Sequence, residues 1–214
     1  MVLRTPEELE EIKKRFLARY KGSKTELVYH NDYELLVDII LSAQCTDKRV
    51  NMITPALFKK YPDVQSLAKA DINDVKELIK SCSFYNNKAK NIIEMAKKVV
   101  NEYGGKIPRD HKELIKLPGV GNKTANVFLI ELENENRMAV DTHVFRVVHR
   151  LGITDAKTVK ETEKDLIKAF KTDLNELHQA FVLFGRYICT AKNPKCEKCF
   201  VTDFCITKEN FKAR

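Results

Sequence analysis

The chain has 214 residues, with 38 lysines and arginines against 30 aspartates and glutamates and a formal net charge of +8. That length makes one large domain or two small ones with a real core, and the positive balance favours an anionic partner, nucleic acid before others. No apolar run reaches the roughly 18 residues of a membrane span, and MVLRTPEELEEIKKRF is charged from Arg4 onward with no signal-peptide core; the expectation is a soluble, intracellular protein not associated with a membrane.

In chain order the sequence reads as nearly all helix. Thr5, Pro6 and Glu8 form a capping box with proline at the first helical position, and Leu9, Ile12, Phe16 and Tyr20 mark an apolar face. Asp32 can cap a helix carrying Leu35, Leu36, Ile39, Ile40 and Ala43, and Asn73 can cap DVKELIK. A longer helix through KAKNIIEMAKKVVNEY stops at Gly104 and Gly105. Asp110 and Glu113 start another, which Pro118 ends, and NKTANVFLIELE resumes after Gly121. Three further helices run from Thr142 to Leu151, Thr158 to Phe170, and Asn175 to about Cys189. The most polar internal stretch, ELENENR at 131–137, is the best candidate for a domain boundary.

Helix, then Pro118-Gly119-Val120-Gly121, then helix is a tight hairpin. Glycines let the backbone turn and approach a ligand closely. Amides at the N-terminus of the second helix, aided by the helix dipole, suit a phosphate oxygen, a contact that reads backbone rather than bases. Val120 can pack inward and pin the turn. On geometry alone such a turn is an ordinary connection between helices; the full string LPGVGNKTAN is more specific. Lys123 opens the second helix, where a cation is disfavoured and partial burial would disfavour it further. A neutral amine there can attack the anomeric carbon of a deoxyribose and form a Schiff base. Asp141, in VDTHVFR, follows after one helix and a short loop. Its carboxylate can stabilise positive charge on a sugar losing its base, or cap the helix that starts at Thr142; the two roles are compatible. His143 can reach phosphate or a base, or simply pack.

Cys189, Cys196, Cys199 and Cys205 close the chain as C-x6-C-x2-C-x5-C, and only Cys45 and Cys82 lie elsewhere. In a reducing compartment clustered thiols read as metal ligands rather than disulfides. From spacing alone zinc and iron–sulfur are equal candidates. Lys192, Lys195 and Lys198 interleave with these cysteines and can face phosphates or only keep the loop soluble.

From about Thr25 to Cys205 the chain resembles the endonuclease III family of bifunctional DNA glycosylases. LSAQCTD at 41–47, SFYNNKA at 83–89, LPGVGNKTANV, VDTHVFRV, RLG and the terminal cysteine spacing occur in the family's order. The resemblance implies an all-α, two-domain helix–hairpin–helix glycosylase fold with a C-terminal cluster loop and DNA between the domains. Residues 25–135 would form a six-helix domain with the hairpin, and residues 1–24 with 136–214 a helical cluster domain. It implies a 4Fe–4S cluster on Cys189, Cys196, Cys199 and Cys205, with zinc as the alternative. Lys123 aligns with the Schiff-base lysine and Asp141 with the essential aspartate. Gln44 matches the residue that fills the gap left by a flipped base, and Phe84 falls where a leucine-like wedge stands. Gly119, Val120, Gly121 and His143 complete the expected DNA contacts. Without the family, Gln44 reads as a mid-helix polar residue and Phe84 as a core aromatic. Asn122 stands where a basic residue is common, Ser83 where glycine is frequent, and ELENENRM lacks a glycine–proline turn.

The implied activity is base-excision repair: release of oxidised pyrimidines through a lysine Schiff base, and β-elimination at the abasic site, on double-stranded DNA. Two alternatives remain at this stage. One is a monofunctional mismatch glycosylase of the same fold, which needs no amine at Lys123. The other is a non-enzymatic DNA-binding module built on the hairpin and a zinc loop.

Overall fold

The structure, a computed structural model, describes residues 1–207. Among them eleven α-helices follow one another: α1 Pro6–Tyr20, α2 Asp32–Ser42, α3 Asp47–Lys60, α4 Val64–Ala68, α5 Ile72–Ile79, α6 Tyr85–Glu102, α7 His111–Leu114, α8 Asn122–Glu133, α9 Thr142–Arg150, α10 Val159–Phe170 and α11 Leu174–Tyr187. Two single-turn 3-10 helices lie at Cys196–Lys198 and Thr202–Phe204. The sole β pairing among the described residues is a bridge between Val2 and Thr154.

The chain divides into two compact units. Residues 26–133 form one, and residues 1–25 with those from 134 onward form the other. The first unit carries α2 to α8, seven helical stretches rather than six, two of them no longer than five residues. Its core is aliphatic: Leu35, Leu36, Leu41, Leu57, Leu67, Ile79 and Ile92 are fully enclosed together with Phe128. Helix α2 supplies so many of them because it is covered on nearly all sides, with α3, α6 and α8 packed against it. The second unit is held by aromatic edges. Phe16 of α1 meets Phe181 and Phe184 of α11 and Phe200 of the cysteine loop, with ring centroids 4.7, 5.1 and 5.0 Å away in T-shaped geometry.

The capping box at Thr5 is present, with both reciprocal hydrogen bonds. Two other caps sit one and two residues earlier than expected. Asn31, not Asp32, caps α2 by accepting from the Glu34 amide at 2.9 Å, which leaves Asp32 inside the first turn where its charge suits the helix dipole. Asp71, not Asn73, caps α5 through the Asn73 and Asp74 amides. Helices α3 and α4 were not anticipated. Pro55 lies inside α3, and a proline in mid-pattern argues against a helix on sequence grounds.

Candidate functional site

The hairpin is built from a short arm and a long one. Asp110 caps the four-residue α7 through the Lys112 and Glu113 amides, and Leu117 and Val120 are buried in the unit's core. The Val120 amide donates to the Leu117 carbonyl at 3.1 Å, closing the turn. Gly119 has φ +80°, and a Cβ there would lie 2.9 Å from Cβ of Asn91 on α6. Glycine is therefore required at Gly119 twice over, by backbone and by space. Gly121 makes neither demand: no positive φ occurs at that residue, and a Cβ would meet nothing within 4 Å. The backbone beside Gly121 thus stays open to an approaching group. His111 Nε2 lies 3.0 Å from Asn122 Oδ1, tying the two arms together. Lys123, the second residue of α8, is exposed rather than partly buried.

In the other unit, Met138, Ala139 and Val140 run buried into Asp141, and His178 Nδ1 lies 2.8 Å from the Ala139 carbonyl oxygen. Asp141 is half-buried and caps α9, its Oδ1 accepting from the Val144 amide at 2.7 Å. That bond fixes the carboxylate and leaves Oδ2 to act elsewhere. His143 is the second residue of α9, and Arg146 Nη2, one turn on, lies 3.2 Å from its Nδ1. Burial lowers the His143 pKa, so the ring is neutral at physiological pH. Gly185 of α11 lets the two helices close up, since a Cβ there would lie 2.9 Å from Cβ of His143.

Gln44 and Phe84 are neither mid-helix nor core. Gln44 is exposed in the turn after α2 with φ +54°, and Phe84 precedes α6 with φ +58° and 63% of its surface exposed. An exposed phenylalanine in the left-handed region loses twice, in solvation and in backbone strain. Lys88 was overlooked within SFYNNKA. It is buried, with Nζ donating to the carbonyls of Leu41 and Ala43 at 2.8 and 2.6 Å. Its spacing with Ile92, Met95 and Val99 on the buried stripe of α6 is the signal that would have found it. Cys45 and Cys82, far apart in sequence, both pack into the core of residues 26–133.

Cys189, Cys196, Cys199 and Cys205 line one cavity together with Arg150, Ile188 and Lys195. Among the described residues no three His, Cys, Asp or Glu side chains gather closely enough to ligate a single ion. Burial pushes the Cys199 thiol up to about 11 and raises Cys196 as well. A bound cationic centre is what would draw off such protons. Arg150 Nη1 donates to Cys189 Sγ at 3.4 Å and to the Thr190 carbonyl at 2.7 Å, and Arg146 Nε donates to the Cys189 carbonyl at 2.9 Å. Both arginines come from α9, so the helix capped by Asp141 also anchors the cysteine loop. Arg15 and Arg19 stack over Phe204 and Phe200, at 5.1 and 4.4 Å. Lys192, Lys195 and Lys198 are exposed.

Residues 37–172 match the HhH-GPD superfamily base excision DNA repair proteins, and residues 189–205 match the iron–sulfur binding domain of endonuclease III. Endonuclease III of Buchnera aphidicola subsp. Schizaphis graminum is 45% identical over 196 residues, covering 91% of this chain and 94% of its own. The Bacillus subtilis endonuclease III is 45% identical over 188 residues, 87% and 86% of the two chains. A trapped endonuclease III–DNA covalent intermediate superposes with a TM-score of 0.92 at 37% identity, covering 97% and 99%. A thermostable thymine-DNA glycosylase, 23% identical with a TM-score of 0.80 over 95% and 98%, shares the fold.

Proposed function

The chain belongs to the endonuclease III family of helix–hairpin–helix base-excision repair proteins, and from that premise we propose how its own residues carry out the family's glycosylase and abasic-site lyase chemistry. Lys123 is the nucleophile. Its neutral amine attacks C1′ of the damaged nucleoside, the C1′–N bond breaks, and the departing oxidised pyrimidine takes up a proton. The displaced sugar then opens: the C1′–O4′ bond breaks, O4′ takes the proton the new amine sheds, and the iminium so formed withdraws electrons from C2′; a C2′ proton leaves and the 3′ phosphate is expelled by β-elimination. Asp141 holds the negative charge that stabilises the developing cation, with its orientation set by the Val144 amide.

The target nucleotide must leave the stack, at a cost of a few kcal/mol. Phe84 wedges into the gap and Gln44 fills the space the base vacated. Gly119, Val120 and Gly121 present the hairpin backbone to a phosphate, and His143, kept neutral by burial, donates to or accepts from DNA. The partner is double-stranded DNA holding a damaged base or an abasic site, and the protein acts as a cytoplasmic, nucleoid-associated monomer.

The iron–sulfur binding domain uses Cys189, Cys196, Cys199 and Cys205, and the group we assign to them is a 4Fe–4S cluster. Four thiols lining a shared cavity, in the segment that matches the iron–sulfur binding domain, support that assignment over one tetrahedral zinc. Its contribution is to tie the basic loop in place; no chemical step passes through it.

The observation that carries this reading is Lys123 at the start of the helix after LPGVG, in a chain that superposes on a covalently trapped relative. Incubating the purified protein with oligonucleotides holding one abasic site or one oxidised pyrimidine tests it. Strand cleavage at both is the expected result. Base release without a nick would make the protein monofunctional, and no reaction at either site would leave a DNA-binding module.

A further inference from the structure

We infer that Lys88 is a positioning residue for base extrusion: its buried ammonium locks the turn bearing Gln44 to the turn bearing Phe84. The inference rests on the reading of those two residues as fillers of the emptied stack. Helix α2 ends at Ser42, and the last carbonyls of a helix have no partner within it. Lys88 Nζ answers two carbonyls at that end, Leu41 and Ala43, at 2.8 and 2.6 Å. Its third contact is Cys82 Sγ at 3.2 Å. An ammonium has three N–H donors, and here all three are spent on two different segments, 41–43 and Cys82. Cys82 Sγ also donates to the Leu41 carbonyl at 3.2 Å, a second tie between the same segments.

A charge with 6% of its surface exposed is costly unless fully hydrogen-bonded. This one is, and the negative end of the α2 dipole adds to its stabilisation. The residues just beyond the tie, Gln44 two after Leu41's neighbour Ser42 and Phe84 two after Cys82, are both non-glycine residues in the left-handed region. Such conformations persist only where their surroundings over-determine them. Lys88 is the group that touches both surroundings. It also sits on the first turn of α6, where its amide donates to the Phe84 carbonyl at 3.1 Å, so its backbone holds the wedge residue while its side chain holds Cys82 two residues before. Plug and wedge are thereby presented as one rigid edge and do not have to be ordered separately on DNA.

The test compares Lys88→Met, which keeps the length and removes every donor, with Phe84→Ala and the unaltered protein. Amide hydrogen exchange is followed at 42–46 and 82–86. Single-turnover excision is measured on an oxidised pyrimidine paired in duplex and on the same lesion unpaired in a bubble. Lys88→Met is expected to speed exchange in both segments and to slow paired excision by about tenfold or more, while unpaired excision and binding to undamaged duplex change by less than about threefold. Unchanged exchange, or equal slowing on both substrates, would overturn the inference. If Phe84→Ala discriminates between the substrates and Lys88→Met does not, the Lys88 inference alone falls. If neither discriminates, the stack-filling reading falls and takes the inference with it. Should Lys88→Met fail to fold, as judged by melting temperature and iron content, Lys88→Arg serves in its place: the cation remains, but a planar fork cannot aim three N–H bonds from one nitrogen.

Discussion

Asp141 caps α9 and is assigned the charge that steadies the reacting sugar, and one substitution separates the two jobs. Asparagine caps a helix as well as aspartate, so Asp141→Asn should leave the melting temperature nearly unchanged. Strand cleavage should nevertheless fall by about 10²-fold or more, as for loss of a charge-stabilising group. Normal rates would reduce Asp141 to a cap. The hairpin glycines divide in a similar way. Gly119→Ala forces a side chain into the left-handed region and against Asn91, and should lower stability by about 1 kcal/mol or more. Gly121→Ala should fold normally, because a Cβ there meets nothing. It should still weaken binding to lesion and undamaged duplexes alike, since the methyl group stands where a phosphate approaches. Equal affinity in a filter-binding titration would remove the hairpin backbone from the interface. At this scale the residue types of the site were legible and their conformations were not. Nothing in the letters around Gln44 or Phe84 announces a positive φ, because that conformation is imposed by the buried lysine and helix ends around them.

Among the elements, α2 holds a buried group that couples stability to pH. Asp38 is fully buried with no hydrogen-bond partner for either carboxylate oxygen. Thr54, the nearby hydroxyl that would favour its charge, already donates to the Val50 carbonyl at 3.1 Å. Burial, with Glu34 adding to it, pushes the Asp38 pKa up to about 8. In the unfolded chain the same group titrates near 3.9. Below about pH 4 both states hold the proton and the burial penalty vanishes; between there and pH 8 only the folded state holds it, so stability falls as pH rises. Asp38→Leu should flatten the dependence of melting temperature on pH between about 5 and 8, and raise the melting temperature most at the alkaline end. A mutant with the parent's slope would place the titration elsewhere. Element by element, what could be read in advance was whatever is encoded locally. The Thr5 capping box needs only three residues in register. Helix α3 was missed because Pro55 sits inside it, tolerated by a burial pattern at Val50, Ile53, Thr54 and Leu57 that only the fold completes. The caps at Asn31 and Asp71 were displaced because several capping residues stand side by side, and tertiary packing chooses among them.

For the molecule as a whole, the order of motifs along the chain carried the family, while the spacing of the four cysteines alone left zinc and iron–sulfur as equal candidates. Protein purified without air should be yellow-brown and hold about four irons per chain. Cys45→Ser and Cys82→Ser should keep that iron, since both thiols lie in the unit of residues 26–133 and the four ligands in the other. Colourless protein holding one zinc would contradict the cluster and leave the glycosylase chemistry standing. That chemistry is the central claim, and it turns on one amine. Borohydride reduction during reaction with a duplex holding a single oxidised pyrimidine should give a covalent protein–DNA complex with the unaltered protein. Lys123→Gln should give none while still binding the duplex. Full trapping by Lys123→Gln would move the nucleophile to another residue and contradict the account.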